Sequence, residues 1–208
     1  MKSSKSIAVT PTMSPFFEEV LGEAMRTRRC EATQAATHYL VSLLCDFARP
    51  NEESEAAFRE PLAFVLRDAL QATGAERFRR LRLLGDAVLY VSGFFGSHIQ
   101  GRGIDSAYVA DIGSAAYRNA AAMLRVNTSQ ASFPGHVLSE LALKFQSFSR
   151  VLADIAESLL LSSLRGRDQQ SLVQLYERWL HTGSSRLAGE LAAQGFLIQR
   201  SPKGSKLN

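Results

Sequence analysis

One carboxylate lies inside an apolar segment of the chain, and it is the first residue whose placement could indicate chemistry. Asp86 follows Leu84-Gly85 and precedes Ala87-Val88-Leu89. A carboxylate in such surroundings is costly to bury unless it is paired. On a helix, Arg82 lies one turn before Asp86 and Arg79 lies one turn before Arg82. The spacing predicts an ion pair within the core, and the alternative is a polar group that lines a cavity or a partner groove.

Three further polar residues complete this candidate site. Tyr90 follows Asp86 by one helical turn, and Tyr108 and Asp111 lie one turn apart on the next predicted helix. A short turn makes these two helices antiparallel neighbours, so Asp111 is expected to brace the pair by meeting an arginine of the helix before it. The candidate ligand-binding or partner-binding residues are therefore Arg79, Arg82, Asp86, Tyr90, Tyr108 and Asp111.

The remaining reactive residue types do not form a known catalytic or metal-binding motif. His136 and Glu140 have the spacing of a helical metal pair, but no third ligand is assignable, which favours a capping role for His136 near a helix start. No histidine follows a glutamate by three residues, as a di-iron site would require. Ser92 lies in Val-Ser-Gly rather than in the nucleophile motif Gly-x-Ser-x-Gly. The sequence therefore predicts no catalytic residue, no metal and no cofactor, which favours a non-enzymatic protein.

The basic residues do not form a coherent nucleic-acid surface. Arg77, Arg79, Arg80 and Arg82 spread around more than half of a helix circumference, which favours a solvated face or an ion-pair network. The net charge of +4 comes from five bases at residues 1–15 and 200–208, where there is no acid, and the rest of the chain holds 19 bases and 20 acids. Nucleic-acid binding through these basic ends is therefore the weakest functional alternative.

Apolar periodicity predicts an all-α protein, with no convincing strand. Ser14 and Thr33 are good first residues for two of the helices, and Gly74 and Gly195 are good stops. We expect a single-domain bundle of seven or eight helices over residues 14–198, preceded by a disordered arm (1–13) and followed by a basic disordered tail (199–208). The segment 75–100 becomes apolar on nearly every side, so it is predicted to be the buried central helix. The predicted helices span about 14–28, 33–48, 61–72, 75–100, 105–125, 136–164, 169–180 and 184–194.

Composition predicts a cytoplasmic protein. Hydrophobic residues make up 46% and charged residues 21% of the chain, which is typical of a globular fold. Cys30 and Cys45 lie in apolar helical patterns, which favours buried free thiols in a reducing compartment. The first residues contain no apolar stretch typical of a signal peptide. The most apolar run, 83–95, is shorter than the about twenty residues of a membrane span.

Two segments are similar to those of uncharacterised bacterial proteins of about this length. They are Thr37-His38-Tyr39-Leu40-Val41-Ser42-Leu43-Leu44-Cys45-Asp46-Phe47 and Leu84-Gly85-Asp86-Ala87-Val88-Leu89-Tyr90-Val91-Ser92-Gly93-Phe94-Phe95, followed by Tyr108 and Ala116-Tyr117. The resemblance covers most of residues 16–195 and implies a bacterial cytosolic origin. It implies no activity.

The functional expectation is a helical interaction or adaptor protein that acts in an oligomer or a larger complex. It depends on the absence of catalytic motifs, on the apolar central helix and on aromatic residues such as Phe94, Phe95, Phe145 and Phe148. The alternative is a small-molecule binder with an apolar cavity near the Asp86 helix, whose polar contacts would be Asp86, Tyr90, Tyr108 and Asp111.

Overall fold

The apolar periodicity of the sequence corresponds to helices in the structure. The computed structural model describes residues 10–48, 60–101, 103–126, 133–164 and 169–193, and within these ranges it contains ten helices and no strand, which confirms the all-α prediction. The helices are α1 (Thr10–Arg28), α2 (Gln34–Phe47), α3 (Leu62–Gln71), α4 (Gly74–Phe94), α5 (Gly96–Gly101), α6 (Ser106–Val126), α7 (Phe133–Leu143), α8 (Phe145–Leu164), α9 (Gln169–Thr182) and α10 (Ser185–Ala193).

Two helix starts follow from capping side chains. Thr33 Oγ1 accepts a hydrogen bond from the backbone N–H of Ala36 at the start of α2, as the sequence predicts. Asp105 Oδ1 accepts one from Ala107 at 2.8 Å at the start of α6. Each cap satisfies a donor that the helix itself leaves free. These two caps fix where α2 and α6 begin.

The described part of the chain has ten helices rather than seven or eight because two of the predicted helices are interrupted. The helix predicted over 75–100 leaves helical geometry at Phe95 and resumes as α5. The helix predicted over 136–164 has a turn at Lys144 between α7 and α8. Backbone bonds from Lys144 N–H to Glu140 and from Phe148 N–H to Lys144 span that turn, so the helical hydrogen-bond pattern continues across it.

The first helix begins at Thr10, four residues before the predicted start at Ser14. Ser14 therefore lies inside α1, and its hydroxyl donates to Glu18 one turn on. Of the predicted arm, residues 1–9 lie outside the described residues, as does the whole of the predicted tail. Cys30 and Cys45 form no disulfide among the described residues, and both are half-buried rather than buried as the sequence predicts. No helix among the described residues is long and apolar enough to cross a membrane.

The chain divides into two compact units, and the first comprises residues 1–158. Helix α4 has seven buried positions between Leu81 and Gly93, in agreement with the predicted buried central helix. Helices α2, α3 and α6 pack against α4, and α7 packs against α6. The largest fully buried side chains of this unit are Leu21, Leu40, Leu44, Leu81, Leu89, Tyr117, Leu141, Phe148, Leu152 and Ile155.

The second unit comprises residues 159–208, and its described part contains the end of α8 together with α9 and α10. Leu161, Leu175, Trp179, Leu187 and Leu191 form its core. Leu187 and Leu191 lie one turn apart on α10 and are fully buried. A single apolar stripe on each helix thus accounts for this small core.

Candidate functional site

Asp86 on α4 is the acceptor of two hydrogen bonds from tyrosines of neighbouring helices. The hydroxyl of Tyr39 on α2 donates to Asp86 Oδ1 at 2.6 Å, and the hydroxyl of Tyr117 on α6 donates to the same oxygen at 2.8 Å. Hydrogen bonds to an ionised acceptor are short and stronger than neutral ones. One carboxylate oxygen therefore connects α2 and α6 to α4.

Burial controls the proton affinity of this carboxylate. Loss of solvent raises the pKa of Asp86 to about 6, although the hydrogen bonds from Tyr39 and Tyr117 and the positive charge of Arg82 act in the opposite direction. The charge of Asp46 on α2 adds to the rise. Burial also raises the pKa of both tyrosine hydroxyls. The tyrosines therefore remain protonated donors at neutral pH, and Asp86 is the group of the site that titrates closest to neutrality.

A glycine next to Asp86 allows α6 to approach this closely. A Cβ atom on Gly85 would lie 2.7 Å from ring atoms of Tyr117, closer than any side chain tolerates. Tyr117 is fully buried, at 0% exposure. Gly85 is thus the packing surface for the ring whose hydroxyl reaches Asp86.

Beyond Asp86, α4 continues into a stack of aromatic rings. Tyr90 lies between Phe47 of α2, at a centroid distance of 4.4 Å, and Phe94, at 4.5 Å, with nearly parallel planes on both sides. Phe95 meets the edge of Tyr90 at 6.1 Å. All four residues retain some exposure to solvent. Offset stacks of this kind add to the stabilisation from buried area alone.

The register between α4 and α6 shows which residues of α6 lie level with this stack. Gly85 faces Tyr117, and Val88 faces Gly113, so the two helices run antiparallel. Extending this register places Tyr90 level with Asp111 and Phe94 level with Tyr108. The turn between the helices is closed by a backbone bond from Ile104 N–H to Ile99. We call this end of the unit the aromatic end; it comprises the stacked residues Phe47, Tyr90, Phe94 and Phe95 and, on the turn and the helix that follow, the exposed residues Ile104 and Tyr108.

The six candidate residues from the sequence occupy different surroundings. Arg82 acts through its charge on Asp86 and on Tyr39. Arg79 is exposed and donates to Glu76, which Arg80 also contacts. Arg82 therefore acts on Asp86 through its charge, but the predicted ion pair between the two is not among the ion pairs of the described residues, and Arg79 lies in a surface ion-pair network.

The other three candidates lie toward the aromatic end. Tyr90 is in the ring stack, whereas Tyr108 and Asp111 are exposed and do not reach Asp86. No ion pair joins Asp111 to another described residue. The expected brace between Asp111 and an arginine of α4 is therefore not among the ion pairs of the described chain.

The two tyrosine donors were not selected as site residues from the sequence. Tyr39 and Tyr117 lie 47 and 31 positions from Asp86 along the chain, so spacing gives no sign of the contact. The available signal was the requirement that a buried carboxylate find donors, which a tyrosine hydroxyl on an apolar helix face satisfies.

Of the two residues with the spacing of a helical metal pair, His136 and Glu140, only Glu140 has a structural role among the contacts of the described residues. Both oxygens of Glu140 accept bonds from Thr33, from its backbone N–H at 3.1 Å and its hydroxyl at 2.6 Å, and Lys144 donates to Glu140 at 3.0 Å. His136 is exposed. Within the described ranges, no group of three histidine, cysteine, aspartate or glutamate side chains is arranged to hold a metal ion.

Comparison with known proteins adds no family to this geometry. No protein-family model matches the chain, no curated protein matches it, and no solved structure matches it. The resemblance of the segments around Tyr39 and Asp86 to a bacterial group stays a prediction.

Proposed function

We propose that this chain is a non-enzymatic helical interaction protein that binds a protein partner through its aromatic end. The proposal depends on exposed apolar residues at this end of the unit. Phe95, at the edge of the aromatic stack, is 49% exposed, and Ile104 and Tyr108, on the turn and the helix that follow it, are 44% and 43% exposed.

Exposed aromatic residues grouped at one end of a unit are typical of a binding surface. Contiguous apolar surface is rare on monomers that bind nothing. Aromatic side chains are enriched in interface cores and supply most of the binding free energy there. The stack between Phe47 and Tyr90 already holds its rings in place, so little side-chain freedom remains to be lost on binding.

The charges around the aromatic end indicate the chemistry of the partner. Asp46 precedes Phe47, and Asp105 and Asp111 lie three residues on either side of Tyr108. All three aspartates are exposed. Complementary charge favours a partner helix that carries lysine or arginine around an apolar anchor. The occupant we propose is therefore a basic amphipathic helix.

The small-molecule alternative has less support from the described residues. Asp86 Oδ1 already accepts two tyrosine protons, so its contacts are internal. Tyr108 and Asp111, which that hypothesis placed in a cavity, are exposed. The basic ends on which the nucleic-acid alternative depends lie outside the described residues.

A designed peptide tests the proposed surface directly. The probe is a fluorophore-labelled helical peptide of leucine and lysine, and its partner control replaces every lysine by glutamate. Fluorescence anisotropy at physiological ionic strength measures binding to the full chain. We expect the lysine peptide to bind and the glutamate peptide not to bind, since the three aspartates repel the latter.

Matched variants locate the binding surface. The double variant Phe95→Ala/Tyr108→Ala should weaken the lysine peptide at least about fivefold, because losing an aromatic anchor costs more than about 1 kcal/mol. Leu143→Ala, which changes an 85% exposed apolar residue elsewhere in the same unit, should leave binding unchanged. Equal binding of both peptides, or equal binding by both variants, would contradict the proposal. A dimer in native mass spectrometry that only the double variant dissociates would assign the surface to a second copy of the chain.

A further inference from the structure

Helix α4 differs in charge between its two ends. Its first three turns contain four arginines and a single acid, which are Arg77, Arg79, Arg80, Arg82 and Glu76. Both Arg79 and Arg80 pair with that one glutamate, so positive charge is in excess at this end. The aromatic end, with its three exposed aspartates, lies at the other end of the helix. Because α4 is 21 residues long, its two ends are about 30 Å apart.

Helix α3, which ends two residues before α4 begins, exposes an aromatic ring. Phe64 is 51% exposed, and the guanidinium carbon of Arg67 lies 5.0 Å from the centre of its ring. The negative face of the ring attracts that cation and holds it in place. The other side of α3 packs on α4 and α6 and buries Ala69. Residues 62–82 together hold five bases and two acids, so the exposed ring belongs to a basic part of the chain.

We infer that the partner of the aromatic end is a second copy of this chain, which presents its α3 and the start of its α4. We call this second surface the arginine end; its exposed residues are Phe64, Arg67, Arg79 and Arg80. It has the two features that the aromatic end favours in a partner, an apolar anchor on a helix and positive charge around that anchor. The inference rests on the proposed function and assigns its partner.

The contact is head to tail, since the two surfaces that meet are different. Pairing of two aromatic ends would place Asp46, Asp105 and Asp111 opposite the same three aspartates, and like charges oppose such a dimer. Within one copy, the continuous helix α4 keeps its own two ends apart. A head-to-tail dimer leaves one aromatic end and one arginine end unoccupied, so further copies add until a ring closes or a filament grows.

Sedimentation velocity of the full chain measures this association. We expect species larger than a dimer to increase with protein concentration. Salt that shortens the screening length from about 8 Å to about 3 Å should weaken the association severalfold, because complementary charge contributes to it. A wild-type chain that remains monomeric up to about 1 mM overturns the inference.

Two double variants test the head-to-tail geometry. Phe64→Ala/Arg67→Glu removes the anchor and one charge of the arginine end, and Phe95→Ala/Tyr108→Ala removes the anchors of the aromatic end. Each variant alone should associate at least about tenfold more weakly than the wild type. Their equimolar mixture should form a dimer of one copy of each and nothing larger, because each variant contributes its one intact end. Arg26→Glu, the same charge change at an exposed position of α1, is the control and should associate as the wild type does.

The results separate this inference from the proposed function. A mixture that stays monomeric where the wild type associates overturns the inference, and so does wild-type association that survives Phe64→Ala/Arg67→Glu. If the lysine peptide binds the aromatic end but the wild type is monomeric, the inference fails and the proposed function stands. Circular dichroism establishes that each variant is folded. If either double variant is not, the exposed charge reversals Arg67→Glu and Asp111→Lys replace them, with the same mixed dimer expected and the same monomeric mixture as the contrary result.

Discussion

Tyr117 donates its hydroxyl proton to Asp86 at 2.8 Å while its ring lies against Gly85, the residue immediately before the acceptor. Two adjacent residues of α4 therefore contact the same tyrosine: Gly85 packs against its ring, and Asp86 accepts the hydrogen bond from its hydroxyl. Because position 85 has no side chain, α6 approaches α4 closely. The hydroxyl of Tyr117 then lies within hydrogen-bond distance of the carboxylate at position 86.

Replacing Tyr117 by phenylalanine should destabilise the protein by about 1–3 kcal/mol at pH 7.5. The ring still fills its place, but a partly buried carboxylate loses one of its two donors. The loss should become smaller near pH 5, because a neutral carboxyl group needs the donor less. Urea unfolding followed by circular dichroism measures both values.

The matched control for this variant is Tyr108→Phe, which removes an exposed hydroxyl from the same helix. It should change the free energy of unfolding by less than about 0.5 kcal/mol. An equal effect of the two variants would show that the hydrogen bond from Tyr117 to Asp86 makes no net contribution to the free energy of unfolding.

Gly85→Ala should cost about 1–3 kcal/mol, because the new Cβ would overlap the ring of Tyr117 and force it away from Asp86. Gly189→Ala is the control, since a Cβ there meets no atom within 4 Å and the residue lies inside α10. That change should stabilise the protein by about 0.5–1 kcal/mol. Thermal unfolding shows whether each variant is more or less stable than the wild type. Stabilisation by Gly85→Ala would contradict the close packing of Gly85 against Tyr117.

The helices were predictable because their signals are local. Apolar residues repeat at helical spacing, and Thr33 caps α2 through a residue only three positions away. The interruption at Phe95 was not predictable, since the surrounding segment is apolar on nearly every side and its periodicity marks no end. The interruption at Lys144 was not predictable either, because Lys144 lies within a regular apolar repeat.

The site was predictable only in part. Asp86 was identified because a carboxylate in an apolar run requires a partner, and that reasoning needs no knowledge of the fold. Its partners, Tyr39 and Tyr117, depend on the register of α2 and α6 against α4, which no local pattern encodes. Arg79 and Asp111 had suitable spacing, but the phase of their helices turns them to the surface.

The second unit offers an independent test of its core. Leu187→Ala should cost about 2–5 kcal/mol, because the leucine is fully buried among four other core residues. Trp179, the only tryptophan of the chain, belongs to the same core, so its fluorescence reports the unfolding of this unit. Leu180→Ala changes a 56% exposed leucine and should shift the urea midpoint little. Similar shifts for both variants would be inconsistent with this core.

Glu140 should show the opposite pH dependence to Asp86. Burial raises its pKa, but the bonds from Thr33 and Lys144 together outweigh it, so the pKa lies below the ordinary 4.5. A lowered folded-state pKa contributes stability that is present above pH 4.5 and is lost as the pH falls through the folded value. Glu140→Gln should therefore cost about 1–3 kcal/mol at pH 7 and progressively less below pH 4.5, as measured by urea unfolding across that range.

Glu177→Gln, at an exposed position of α9, is the control and should cost little at any pH. A constant difference between Glu140→Gln and the wild type across that range would show that the bonds from Thr33 and Lys144 do not depend on the charge of Glu140.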